Sequence, residues 1–245
     1  MSIEERHRAI LAIIASNGSI TTDRIQKDFG VSYDSAKRDL RLLEERGLLK
    51  RTHGGAIPVS DDLFAPRTRP TENTDDISRL ADHAASLVAD GETIFLMGGE
   101  IGLAIIERLS AKDLCVVTNS LQNAVSLRSR PIMSILIGGS ISSGGDFCDS
   151  LSLMMVKRMR FDKCFLMTDG ISADFGISSR DPAMAAFLSE VVEGAGKVIG
   201  IFQSELVGRE AAFSVCKADR LSCLITDGGD RLADFSKLGV RVVKL

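Results

Sequence analysis

From Thr93 to the last residue, seven short apolar runs recur, and few architectures can accommodate them. They are "TIFLMGG" (93–99), "LCVVTNS" (114–120), "IMSILIGGS" (132–140), "KCFLMTDG" (163–170), "KVIGIF" (197–202), "CLITDG" (223–228) and "VRVVKL" (240–245). Several are almost continuously hydrophobic, as strands covered on both faces must be. Most end in Gly, Asn, Ser or Asp, and helix-period segments fill most gaps between them. This predicts βαβ organisation, a Rossmann-like, mostly parallel α/β domain over residues 77–245.

In such sheets ligands bind beyond the carboxyl ends of the strands. The candidate lining groups are therefore Gly98, Gly99 and Glu100, then Thr118, Asn119 and Ser120, then Gly138 and Gly139, Asp169 and Gly170, Gln203 and Ser204, and Asp227. Gly-rich turns that open onto helix amino ends suit an anion, because free backbone N–H groups and the helix dipole favour negative charge. A glycine after a strand also serves simply as a tight turn.

Composition narrows the class. With 44% hydrophobic and 26% charged residues, the chain reads as a globular, water-soluble protein. No apolar run reaches the roughly 18 residues of a membrane span, and the acidic, helix-periodic start is unlike a secretory signal. Five cysteines without a C-x-x-C pair read as buried thiols of a reducing, cytoplasmic environment, with no metal site. Residues 1–57 carry ten Lys and Arg against eight Asp and Glu, whereas the whole chain has a net charge of −3. That asymmetry suggests two jobs in two domains.

The first 57 residues have helical rather than strand periodicity. Ile3, Ile10, Leu11 and Ile14 share one helix face that ends at the "SNGS" turn. Thr21 or Thr22 caps a short second helix carrying Ile25 and Phe29, and Gly30 ends it. Ser32 or Asp34 caps a third, with Ala36, Leu40 and Leu43 as its buried stripe. Arg38 and Arg41 then fall on the opposite face, with Lys37 on its flank. "LLKRTHGG" and "AIPV" read as two extended pieces around a Gly-Gly turn. The sum is a helix-turn-helix followed by a β wing, or else a three-helix packing module with a solvated outer face. In the first reading Ser32, Tyr33, Ser35, Lys37 and Arg38 reach base edges in the major groove of double-stranded DNA. Arg41, Lys50, Arg51 and His53 meet phosphates.

"SAKRDLRLLEERGLLKRTHGGA" resembles the winged helix-turn-helix of the DeoR family, whose pattern here is close to T-I-R-R-D-L-x-x-L-E-x-x-G-x-[LI]-x-R-x-H-G-G-A. Arg38-Asp39-Leu40, Leu43-Glu44, Gly47, Arg51 and His53-Gly54-Gly55-Ala56 match it, while Lys37 replaces an arginine and Ser35-Ala36 replace Thr-Ile. "VVTNS", "LIGG", "TDGIS" and "GIS" (176–178) fall in the order of the family's effector domain, which is similar in fold to ribose-5-phosphate isomerase. The resemblance spans essentially the whole chain. It implies a regulator, most simply a repressor of a carbohydrate-catabolism operon, released from its operator by a sugar, polyol or sugar phosphate. Residues 58–76, polar and Pro-rich, read as a linker, and its Phe64 and Arg67 resemble the family's aromatic-then-arginine linker. Pairing of small DNA-binding modules implies at least a dimer.

The pattern also breaks. The family's first pocket loop is close to D-S-G-T-T, but Met97 stands for its aspartate and Glu100 with Ile101 for its threonines. Of the acidic residues and lysine that follow its G-[IL]-[ST]-[ST] segment, only Asp181 survives, with Phe187 or Leu188 at the lysine. Gln203 and Leu206 replace the aspartate and lysine of D-S-S-K-[FV]-G-R, while Ser204, Gly208 and Arg209 match. A carboxylate at Glu100 gains from the helix dipole but repels a phosphate in the same place. Three readings of Glu100 follow: a contact for a less anionic effector, a plug in the anion site, or a helix carboxylate pointing to solvent. An isomerase-like enzyme is the alternative to a regulator. Its lysines are missing, however, and His7, His53 and His83 fall outside the strand ends, so no catalytic set is expected.

Overall fold

The structure is a computed structural model that describes residues 3–17, 19–46, 48–52, 54–58, 74–142 and 144–245. The chain divides into two compact units, Met1–Ala65 and Pro66–Leu245.

In the first unit, α1 (Ile3–Asn17) is followed by β1 (Ile20–Thr21), α2 (Thr22–Phe29), α3 (Tyr33–Glu45), β2 (Leu49–Thr52) and β3 (Gly55–Pro58). Thr21 caps α2 by accepting from the Arg24 amide, and Gly30 ends it in the left-handed conformation at φ 65°. Ser32 caps α3 by accepting from the Ser35 amide. Ile10, Ile14, Ile25, Ala36, Leu40, Leu43 and Leu49 form the core. Truncating one of the larger of these to alanine costs about 2–5 kcal/mol. Ile3, expected on this face, is exposed instead, because at the first turn of α1 it lies beyond the core. The strands order as β1-β3-β2, antiparallel throughout. Gly55 makes this possible: a Cβ there would come within 2.1 Å of the Ile20 carbonyl oxygen. The second glycine of the "HGG" stretch is thus fixed by close approach of two backbones.

The second unit begins with α4 (Thr74–Ser86), which starts earlier than the expected Ile77. There follow β4 (Thr93–Leu96), α5 (Glu100–Arg108), β5 (Cys115–Thr118), α6 (Leu121–Leu127), β6 (Met133–Leu136), α7 (Ser150–Val156) and β7 (Phe161–Leu166). Next come β8 (Gly170–Ser172), β9 (Gly176–Ser179), α8 (Pro182–Gly194), β10 (Ala195–Phe202), β11 (Phe213–Cys216), β12 (Cys223–Thr226), α9 (Leu232–Lys237) and β13 (Arg241–Lys244). All seven apolar runs become strands of one sheet, ordered β13-β12-β10-β7-β4-β5-β6, and every pairing in it is parallel.

Alternate residues of the strands feed two cores, as a doubly covered sheet requires. Ile94, Leu96, Phe165, Ile199, Ile201 and Ile225 pack with α4 and α5. Phe95, Cys164, Leu166, Val198, Phe202 and Leu224 pack with α7, α8 and α9. The chain runs outward from β4 to β6 and returns to β7 on the other side of β4, so the order reverses between β4 and β7. At such a switch point the connections diverge and leave a crevice. A second, antiparallel sheet, β11-β9-β8, was not foreseen. Only Cys164 and Cys223 are buried, while Cys115, Cys148 and Cys216 are partly exposed. This corrects the expectation of five buried thiols. No helix among the described residues is long and apolar enough to cross a membrane.

Candidate operator interface and effector cavity

A buried ion cluster orients the helix that carries the cations of the first unit. Asp39 accepts from Arg6 Nε at 2.6 Å, Arg6 Nη2 at 3.1 Å and His7 Nε2 at 3.0 Å, tying α1 to α3. Burial raises the Asp39 carboxyl, but the hydrogen bonds from Arg6 and His7 outweigh it and hold the group below its usual value. The Arg6 guanidinium is raised in turn by its hydrogen bond to Asp39. The aspartate of "KRDL" is therefore structural, which its place among cations did not reveal.

With α3 locked, its other face is exposed. Ser32 spends its hydroxyl on the cap and on a 2.9 Å hydrogen bond to Ser35 Oγ, so both serines are engaged in the helix start. Lys37 Nζ lies 4.5 Å from the centre of the Tyr33 ring, a cation–π contact. Both line a recess of about 200 Å³ with Arg51, Thr52 and Gly54, which brings the amino half of the helix and the wing together. Arg38 is exposed and pairs with no carboxylate among the described residues. Arg41 lies 3.7 Å from Glu45 on the same helix, an exposed pair worth little. The Arg51 amide donates to Glu44 Oε1 at 2.9 Å, fastening the wing to α3. The Lys50 side chain and all of His53 lie outside the described residues, as do Gly47, Phe64 and Arg67. Thr52 is an exposed wing residue that sequence reasoning passed over.

In the second unit a cavity of about 730 Å³ opens at the switch point between β4 and β7. Gly98, Gly99, Glu100, Asp169 and Gln203 line it, as expected from their strand ends. Gly98 cannot be larger: a Cβ would come within 2.6 Å of Ser120 Oγ and 2.7 Å of Asp146 Oδ1. Glu100 is the first residue of α5, whose capping position, Gly99, offers no side chain.

The other candidates do not line this cavity. Thr118, Asn119 and Ser120 are buried, and the loop after β6 folds over them, with Phe147 N donating to the Asn119 carbonyl and Leu121 N to that of Gly145. Thr118 Oγ1 accepts from the Ser120 amide and from Asn123 Nδ2. Gly138 and Gly139 face the amino end of α7, which Asp149 caps by accepting from the Leu151 and Ser152 amides. Those hydrogen bonds, with another from Ser140, hold the Asp149 carboxyl far below its usual value. A protein carboxylate thus occupies that helix end. Gly170 opens β8 against Arg209, and the Ser204 amide donates to Asp227 at 2.6 Å.

The structure brings forward lining residues that the strand-end rule missed: Asp146, Ser142, Asp181 and three methionines, Met97, Met167 and Met184. Burial pushes the Asp146 carboxyl up to about 6, against a hydrogen bond from Ser120 that lowers it. Asp169 accepts from Ser179 Oγ and from the Arg180 amide and guanidinium. Asp181 caps α8, and Phe187 and Leu188 are buried in the core. His83, on α4 and away from the strand ends, has a buried Nε2 without a partner among the described residues.

The chain matches the DeoR-like helix-turn-helix domain over residues 6–61 and the DeoR C terminal sensor domain over residues 72–228. It is 31% identical to the uncharacterized HTH-type transcriptional regulator FruR of Bacillus subtilis (strain 168), with all of both chains covered. It is 26% identical to the HTH-type transcriptional regulator GolR of Listeria innocua, over 95% of this chain and 94% of that one. The lactose phosphotransferase system repressor of Staphylococcus epidermidis is likewise 26% identical, over 94% of each chain. These full-length relatives are regulators rather than enzymes, and the isomerase reading falls with them. A helix-turn-helix with a wing, followed by a parallel α/β sensor, makes this chain a member of the DeoR family of DNA-binding transcriptional regulators.

Proposed function

We propose that the protein represses a carbohydrate-catabolism operon by binding double-stranded operator DNA as a dimer or tetramer in the cytoplasm, and that a small, non-phosphorylated sugar or polyol releases it. One observation carries the effector half of this reading. The charged side chains lining the cavity are Glu100, Asp146, Asp169 and Asp181, with no Lys, Arg or His among the described lining residues. A phosphate dianion would have to lie among like charges in a partly dry site. The cavity's size falls in the range of pockets for small metabolites, which speaks against a plugged site. Similarity to the lactose phosphotransferase system repressor supports repression as the direction of control. On the DNA side, Tyr33, Lys37 and Arg38 read bases, while Arg41, Lys50, Arg51 and His53 hold phosphates.

The test is release of the full chain from DNA upstream of its own gene, challenged by sugars and polyols and by their phosphates. Release by a neutral compound is the expected outcome. Release by phosphates alone would reject the non-phosphorylated effector and leave the regulator intact.

A further inference from the structure

The four carboxylates around the cavity are not equivalent. Asp169 is engaged by Ser179 and by both the amide and guanidinium of Arg180. Asp181 is engaged by the first amides of α8. Glu100 is the first residue of α5, where the helix dipole favours its charge. Asp146 has none of these supports. It lies on the loop that folds over α6, its Oδ1 packed where Gly98 leaves room, with Ser120 as its hydrogen-bonding neighbour. No cation among the described residues lines the cavity beside it.

Three further carboxylates line the same cavity. Glu100 comes from α5, Asp181 precedes α8 and Asp169 follows β7. Cys148, two residues along the loop, has its thiol raised by burial first and then by the charges of Asp181, Asp146 and Asp149. A carboxylate so placed is costly for the empty protein, and a ligand cation relieves that cost. A metal ion fits poorly, since no cluster of His, Cys, Asp and Glu among the described residues could hold one. A protonated amine fits better, because its three N–H donors suit acceptors spread around a cavity rather than converging on a point. Met97, Met167, Met184, Ile101 and Ile201 supply an adaptable apolar lining for the carbon frame.

We infer that the effector is a polyhydroxylated amine, an amino sugar or aminopolyol, and that Asp146 is the specificity-determining residue that receives its ammonium group. This rests on the reading of the cavity as the effector site and narrows the ligand within it. The upward shift of the Asp146 carboxyl supports it: amine binding must compete with the proton, so affinity drops below about pH 6.

The experiment is calorimetry of the full chain with two matched sets, glucamine, glucitol and glucitol 6-phosphate, and glucosamine, glucose and glucose 6-phosphate. In at least one set the amine is expected to bind tenfold or more tightly than its neutral counterpart. For glucamine the affinity should fall roughly three- to fivefold between pH 7.5 and 5.5. Asp146→Asn should remove most of the amine preference, and Glu100→Gln should remove less. The pH profile of the unaltered chain tests the same claim if Asp146→Asn fails to fold. Equal or tighter binding of a neutral member overturns the amine while leaving the non-phosphorylated effector standing. Tightest binding of a phosphate overturns both. An amine preference unchanged in folded Asp146→Asn removes Asp146 from the role. Absence of binding by every compound overturns the inference, whereas the regulator itself is decided separately by DNA release.

Discussion

Asp39 and Asp146, one in each unit, are carboxylates withdrawn from water, and their titrations move in opposite directions. Asp39 is buried against Arg6 and His7, and its hydrogen bonds outweigh the burial that opposes them. Asp146 is burdened by burial, with Ser120 giving only partial relief. The difference separates two uses of charge. In the DNA-binding unit an acid is spent on architecture, so that the cations of α3 are presented on a fixed helix. In the sensor unit an acid is left underserved beside a cavity, as a site awaiting a ligand would be.

The largest expected effect breaks the first half of this contrast. Asp39→Ala leaves the partly buried Arg6 and the buried His7 without their carboxylate and should cost about 3–5 kcal/mol, with loss of operator binding. Denaturant unfolding of the full chain should show the loss in the transition of the DNA-binding unit alone.

Next comes acidity. For Asp146, raised to about 6, the folded state binds more protons than the unfolded state between roughly pH 4 and 6. The contribution of Asp146 to the stability of the sensor unit should therefore fall by roughly 2–3 kcal/mol as pH rises through that window, read as the difference between the unaltered chain and Asp146→Asn. Asp39 has the reverse sign: its contribution is present above the usual carboxylate value of about 4 and is lost as pH falls below it. Thermal melts from pH 3.5 to 7.5 of the unaltered chain against Asp146→Asn and Asp39→Asn that gave both carboxylates one sign would erase the comparison.

Smaller effects sharpen it. Arg38→Ala should cost about 1–3 kcal/mol of specific binding and relax base preference at one position, whereas Arg51→Ala should weaken all sequences alike. Ser32→Ala, which removes the α3 cap, should cost about 0.5–2 kcal/mol of stability and leave base preference unchanged. Binding to a set of operator variants separates these outcomes.

Much of this fold was legible because its signals are local. Doubly buried strands read as continuous apolar runs, and α3 announces itself through Ser32, its apolar stripe and the basic face opposite. The antiparallel sheet was not legible, since Gly170–Ser172 and Gly176–Ser179 are too short and glycine-rich to show a period. Asp39 sits 32 and 33 positions from its partners, a pairing that no local pattern encodes. Asp146 escaped for a similar reason. Strand-end reasoning selected Gly138 and Gly139, but the loop beyond them folds back through Phe147 and Asn119 and delivers a later residue to the cavity.

The central claim is that the exposed face of α3, with the wing, reads operator DNA. The most direct measurement is fluorescence anisotropy of the full chain with DNA from upstream of its own gene, against a scrambled duplex, in a salt series. Tight and sequence-selective binding that weakens steeply with salt is the predicted result. Equal, weak affinity for both duplexes at every salt concentration would contradict it.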